Sequence, residues 1–285
     1  MSKKGFTRYS MRENMLKKVL IRIDYDGVTD INRWIETLKT DDLIRTKFHD
    51  YHQTMLNNAT FDLSRMDEVA EQRSIPISAF QSQPIHRFSQ SDFDGHHDTV
   101  IMEIANLFTT FLIDCKQYTT IDDYFKYLTE YFSKFLEYDP YIKIKRMGIR
   151  KIGGDSFEQL KMVGNTFEGG FFNEHTVDES ARMIEREYHD RFLKTLQVVD
   201  GNVNKEKSLK VNYSTLCRSI ENPKPFQIVL DIDGYVDEFI IQKDQLQFPR
   251  DFRKSLDLVN NYLFELYKKS VTKKYLSEHG EEELQ

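Results

Sequence analysis

Cysteine is nearly missing from this sequence: two residues, Cys115 and Cys217, in 285. They stand far apart and no Cys-x-x-Cys pair occurs, so reduced thiols are expected rather than a disulfide framework or a cysteine-based zinc site. No apolar run approaches the roughly 20 residues that span a bilayer. Lys3, Lys4 and Arg8 are not followed by the apolar core of a signal peptide. The expectation is a soluble, cytoplasmic protein with no membrane partner. Positive charge is also in deficit: 40 Lys and Arg against 46 Asp and Glu give a net charge of -6 and a pI near 5.8. That balance argues against a dedicated nucleic-acid binder, which is usually basic. Local basic surface is confined to Lys143, Lys145, Arg146, Arg150 and Lys151, and to a tail holding Lys268, Lys269, Lys273 and Lys274.

The motifs of common chemistry are missing as well. No HExxH and no Glu-x-x-His pair occurs, and His96, His97 and Asp98 have no third and fourth ligand at a recognisable spacing. His189 and Asp190 have no serine or cysteine on a nucleophile turn. Gly153 and Gly154 are not followed by the lysine and serine of a phosphate loop, and 164–170 is no dinucleotide fingerprint. Two stretches place Asp-x-Asp-Gly after an apolar strand, with Asp24 and Asp26 in one and Asp231 and Asp233 in the other. In haloacid-dehalogenase-like phosphatases such a pair supplies a nucleophile and a Mg²⁺ ligand. The alternating strand–helix units of a parallel sheet do not follow here. No catalytic residue, metal ligand or cofactor is assigned.

What the sequence has in quantity is aromatic bulk, 21 Phe and 15 Tyr. Much of it falls in 118–138. Ile121, Phe125, Leu128, Tyr131, Phe132, Phe135 and Leu136 recur at helical spacing, with Thr120 and Asp123 resembling a capping box and Asp139 before Pro140 ending the run. A basic strand follows over 141–152. Ile142 and Ile144 share one face, but after Arg146 the apolar residues are Met147 and Ile149. A strand of period two changes face only through an extra residue or a sharp twist, so a bulge is predicted near 146–148, with Gly148 allowing close backbone approach. Arg146 and Arg150 then share a polar face, and Asp231 and Asp233, at i and i+2, are positioned to answer them from another strand.

Along the chain, 19–23 reads as a strand and Thr29 or Asp30 as the cap of a helix facing inward through Ile31, Trp34, Ile35 and Leu38. The stretch 41–50 prolongs that helix irregularly. Residues 51–83 lack periodicity and are expected to drape over the core and contribute a strand. Strands over 84–90, 99–104 and 108–115 form a meander with a turn at 91–97. A short helix covers 156–162 and a Gly- and Phe-rich loop 164–172. The 180–199 stretch suits helix or strand. Strands over 208–219 and 226–234 turn buried faces through Leu209, Val211, Tyr213 and through Phe226, Ile228, Leu230 and Ile232. A helix from near Pro249 closes the chain on Phe252, Leu256, Val259, Leu263 and Leu266. The fold class is α+β, mainly antiparallel sheets with amphipathic helices on one face and two loosely similar halves, 1–153 and 154–285.

The stretch 146–153, RMGIRKIG, resembles the RIGLRYIN strand that follows an aromatic-rich helix in a sporadically distributed bacterial family of uncharacterised function. The resemblance extends upstream through RFSQ at 87–90 and downstream through LDID at 230–233 and the last long helix. Lys151 and Gly153 stand where the family pattern has Tyr and Asn. The resemblance favours a strand over 180–199 and implies fold more than activity. Sporadic distribution is what defence-linked or mobile genes show, so an antitoxin-like or immunity partner follows by analogy. The leading expectation is a non-enzymatic binding protein whose partner is another protein. The tentative site is Arg146, Gly148, Arg150, Asp231 and Asp233, with 51–83 and 164–172 as further contact surface. The alternatives are a metal-dependent phosphoesterase or nuclease using the Asp pairs, and a sensor of an anionic small molecule clamped by Arg146 and Arg150. Oligomeric state is left open.

Overall fold

The strand that begins at Ile144 meets both halves of the chain. It runs Ile144–Phe157 and lies between Leu16–Tyr25 on one side and Phe226–Val236 on the other. The computed structural model describes residues 4–11, 15–61, 77–90, 99–115, 121–168, 185–200, 203–219, 226–236 and 248–284. Its strands are β1 (Lys4–Gly5), β2 (Leu16–Tyr25), β3 (Asp50–Phe61), β4 (Ile77–Ser89), β5 (Thr99–Ile104), β6 (Phe108–Asp114), β7 (Ile144–Phe157), β8 (Glu185–Asp200), β9 (Val203–Ser219), β10 (Phe226–Val236) and β11 (Glu283–Leu284). Nine of them form one sheet in the order β3-β4-β5-β6-β2-β7-β10-β9-β8, every neighbouring pair antiparallel. Among the described residues β1 pairs only with β11. The helices are α1 (Ile31–Thr40), α2 (Asp42–Lys47), α3 (Asp122–Tyr138), α4 (Leu160–Thr166), α5 (Phe248–Ser270) and α6 (Lys273–His279). The fold is α+β, as the patterning implies. Residues 153 and 154 both lie inside β7, so the two halves are the two wings of one sheet, joined at that strand.

The change of face is real and its cause is a bulge. Tyr25 pairs with Ile144 but Asp24 pairs with Arg146, which leaves Lys145 as the extra residue. It sits one position before the expected span. Ile144 is buried, and after Lys145 the buried side chains are Met147 and Ile149. Arg146 and Arg150 are thereby turned to the opposite face and need no buried counter-charge. A second shift, at Lys17, lets β2 close on Gly153. The glycines that matter most for close approach are Gly153 and Gly154 rather than Gly148. A Cβ on Gly153 would lie 2.5 Å from the Met15 carbonyl oxygen, and one on Gly154, whose φ is +154°, would lie 2.0 Å from that of Ile228. At Gly148 the nearest atom is Tyr235 Cβ at 3.1 Å.

The helices that pack on the sheet cover its inner face. α3 lies against β2 and β6, with Phe135 edge-on to Tyr25 at 4.9 Å and Tyr131 edge-on to Phe111 at 5.8 Å between centroids. Phe125, Leu128, Tyr131, Phe132 and Phe135 are essentially sealed from solvent. Fully burying one such side chain stabilises by about 1.5–3 kcal/mol, so the aromatic stripe dominates the core. Beneath α3 two tyrosine hydroxyls are partnered: Tyr25 Oη donates to the Ala105 carbonyl at 2.8 Å, and Thr109 Oγ1 lies 3.1 Å from the hydroxyls of both Tyr25 and Tyr131. Trp34 Nε1 donates to Tyr131 Oη at 3.3 Å and so ties α1 to α3. Asp139, also buried, accepts from the Thr29 amide and hydroxyl and from the Tyr141 amide. α5 lies over β7 and β10, its Leu263 seated against Gly234.

Several boundaries differ from the reading above. Asp30 is the N-cap of α1, accepting from the Arg33 amide at 3.0 Å, while 42–47 forms a separate helix capped by Asp41. α3 has Ile121 at its N-cap, with no side-chain cap hydrogen bond there, and the Thr120 of the expected capping box lies outside the described residues. The stretch 51–83 contributes two strands, β3 and β4, paired as a hairpin, with 62–76 outside the described residues. The helix expected over 156–162 occupies 160–166, because β7 continues to Phe157. The described part of 180–199 is strand, β8. The turn at 91–97 with His96 and His97, and 169–172, lie outside the described residues. Gly154→Ala is expected to destabilise by about 2–4 kcal/mol, since backbone must move on a central strand. Gly148→Ala is expected to cost at most about 1 kcal/mol. Urea unfolding of the two variants measures the difference.

Candidate functional site

The bulge at Lys145 and the straight register between β7 and β10 bring together the five residues the sequence singles out. Arg150 is the register partner of Asp233, and Gly148 that of Tyr235. Arg146, Gly148, Arg150, Asp231 and Asp233 therefore share the outer face of adjacent strands. Arg150 forks onto Asp231: Nε donates to Oδ1 at 2.9 Å and Nη2 donates to Oδ2. That hydrogen bond, with the charges of Asp231 and Asp233 behind it, raises the Arg150 pKa. Arg146 lies 3.6 Å from Asp24 and stacks over the Tyr235 ring at 4.0 Å. Arg22 donates to Asp24 at 2.8 Å and stacks over Phe108 at 4.2 Å. Burial pushes the Asp233 carboxyl above its ordinary range, with Arg146 and Arg150 pulling against it.

This ladder answers the question of the anion clamp. Each arginine faces a carboxylate already, so Arg146 and Arg150 are held as members of a matched surface network. Solvent still reaches them, at 35% and 47% side-chain exposure. The Asp pairs are engaged in the same way. Asp24 faces Arg22 and Arg146, Asp26 is ion-paired with Lys145, and Asp231 takes Arg150. Among the described residues no group of three or more His, Cys, Asp or Glu side chains is placed to hold a metal ion.

The inner face of the same strands carries a second constellation that the reading by charge missed. After the bulge, Lys151 falls in phase with Met147 and Ile149, between Val19 on β2 and Ile232 on β10. It reaches a cavity of about 70 Å³ between the sheet and α5, walled by Met11, Met15, Leu230, Leu263 and Phe264. Arg8 and Asn260 also line it. Burial, reinforced by Arg8, pulls the Lys151 ammonium down to about 8, while the Cys115 thiol acts in the opposite sense. Arg8 turns one nitrogen, Nη2, to Asp257 at 3.1 Å and Tyr9 at 2.6 Å, whereas its Nε and Nη1 are buried with no hydrogen-bond partner. Asn260 Oδ1 is likewise buried and without a donor. The alternation rule that put Met147 and Ile149 inside was the available signal for Lys151. Arg8 and Asn260 come from segments more than 100 residues away in sequence and carried none.

No family model matches the chain, and no curated protein matches it either. Among the described residues no helix is long and apolar enough to cross a membrane.

A lysine whose folded pKa lies below its ordinary 10.5 binds its proton more weakly in the native state, so stability rises with pH between about 8 and 10.5 and the penalty is fully present below 8. Lys151→Met removes that penalty. It is expected to stabilise at pH 7 by about 1 kcal/mol, less than the full shift implies because solvent screens a half-buried ammonium, with the gap closing towards pH 10.5. Urea unfolding of both proteins at pH 7 and pH 10 checks the sign.

Proposed function

We propose that this is a non-enzymatic binding protein of the bacterial cytoplasm that contacts another protein through the outer face of β2, β7 and β10. The observation that carries this reading is the Arg22–Asp24–Arg146–Tyr235–Arg150–Asp231 ladder. Its arginines and aromatic rings are pinned by cross-strand pairs on a solvent-reached face opposite to the one that α3 and α5 pack against. Arginine and tyrosine held in fixed rotamers are the usual anchors of protein interfaces, because little freedom is lost when a partner arrives. An antitoxin-like or defence-associated role rests on the family resemblance alone and stands as analogy.

The phosphoesterase or nuclease reading has less support. It needs carboxylates free to take a divalent cation, and Asp24, Asp26 and Asp231 each face a protein cation.

Exposed ion pairs contribute about 0–1 kcal/mol each, so Arg146→Ala with Arg150→Ala is expected to leave the thermal midpoint within a few degrees of the native value. The same pair of changes is expected to weaken capture of the partner about 30-fold or more, as loss of an arginine anchor does at roughly 2 kcal/mol. Quantitative affinity capture from the native host, wild type beside the double variant, measures this. Partner retention unchanged by the double variant, or Mg²⁺-dependent phosphoester hydrolysis lost in Asp24→Asn, would count against the proposal.

A further inference from the structure

A cation on the apolar inner side of a sheet with no counter-charge is costly for a fold to keep. Lys151 is such a cation, half-buried there: among the described residues no carboxylate pairs with it, and its strand neighbours on that face are Val19 and Ile232. Other charges lie nearby but are already balanced. Arg8 and Arg253 share the carboxylates of Asp122 and Asp257, at 3.1–3.8 Å. Two cations against two anions leave Lys151 as the surplus charge. The N–H groups of Arg8 at Nε and Nη1 add two buried donors without acceptors. Left unmet, each buried donor keeps the cost of losing its water. The rest of the wall is apolar, with Leu230, Leu263, Phe264 and the adaptable side chains of Met11 and Met15.

From this arrangement we infer that the cavity between β7, β10 and α5 is a binding site for a short-chain carboxylate, with Lys151 and an unmet N–H of Arg8 taking the carboxylate and the methionine-lined wall taking the alkyl chain. One carboxylate oxygen can face the Lys151 ammonium and the other an unmet N–H of Arg8, and charge-assisted hydrogen bonds of this kind are the strong ones. The volume sets the size. About 70 Å³ holds roughly five waters at the 10–15 Å³ each requires, which suits a carboxylate and a few methylenes. Asn260 Oδ1, an acceptor without a donor, is the group that would favour a hydroxyl on the chain. The site lies on the opposite face of the sheet from the arginine–aspartate ladder and is independent of the partner reading.

Isothermal titration calorimetry of the full chain at pH 7 tests it, with acetate, butanoate, hexanoate and butan-1-ol as the probes. Butanoate is expected to bind with Kd of about 1 mM or tighter. Each added methylene should tighten binding about fourfold until the wall is filled, so acetate should be at least tenfold weaker. Butan-1-ol, with no charge, should bind at least tenfold more weakly than butanoate. Lys151→Met should remove that preference for carboxylate over alcohol, and Lys151→Gln serves as a second variant should the first fail to fold. Arg150→Ala, on the outer face, should bind butanoate as the native protein does. No butanoate binding up to about 10 mM, equal affinity for butanoate and butan-1-ol, or an unchanged carboxylate preference in the folded Lys151 variants would each overturn the assignment.

Discussion

One extra residue in one strand, Lys145, decides which side of this protein is apolar and which is charged. A strand of fixed period would have carried Arg146 and Arg150 onto the side occupied by Ile142 and Ile144. The bulge lets the isoleucines before it and Met147 and Ile149 after it all face the helices. Because β7 pairs with β2 and with β10, its phase is imposed on both neighbours, and through them on both wings of the sheet. Had the register slipped by one, Val19, Ile21 and Ile23 on one side and Ile228, Leu230 and Ile232 on the other would face away from α3 and α5.

The aromatic helix α3 answers the inner face. Its rings do not simply fill volume. Tyr131 carries a hydroxyl into a sealed core, where a lone polar group costs free energy, and the hydroxyls of Thr109 and Tyr25 and the indole of Trp34 complete a chain of hydrogen bonds around it. Burial pushes the Tyr131 phenol well above its ordinary value, so it stays protonated at neutral pH. The same network joins α1, α3, β2 and β6.

The two faces of β7 treat charge differently. Outside, every arginine of the ladder meets a carboxylate or a ring, and solvent screens what remains. Inside, Lys151 stands without an answering carboxylate, in a pocket whose low polarity magnifies the cost. A surface that is already neutral is suited to contact with another folded surface, and a pocket that is short of negative charge is suited to an anion.

Alternation and helical spacing alone determined the α+β class, the helical stripe of α3, the inward faces of β9, β10 and α5, and the need for a bulge in β7. These are properties of short stretches, set by side-chain geometry along one element. The same local rule placed Arg146 and Arg150 beside Asp231 and Asp233 on one face. Only the tertiary structure decided that those arginines are matched, that Lys17 and Gly154 absorb the irregular ends of β2 and β7, and that Arg8, Lys151 and Asn260 meet at one cavity. The reason is physical. Ion pairing and cavity formation depend on which distant segments the packed sheet brings within a few ångströms, and no periodicity along the chain encodes that distance.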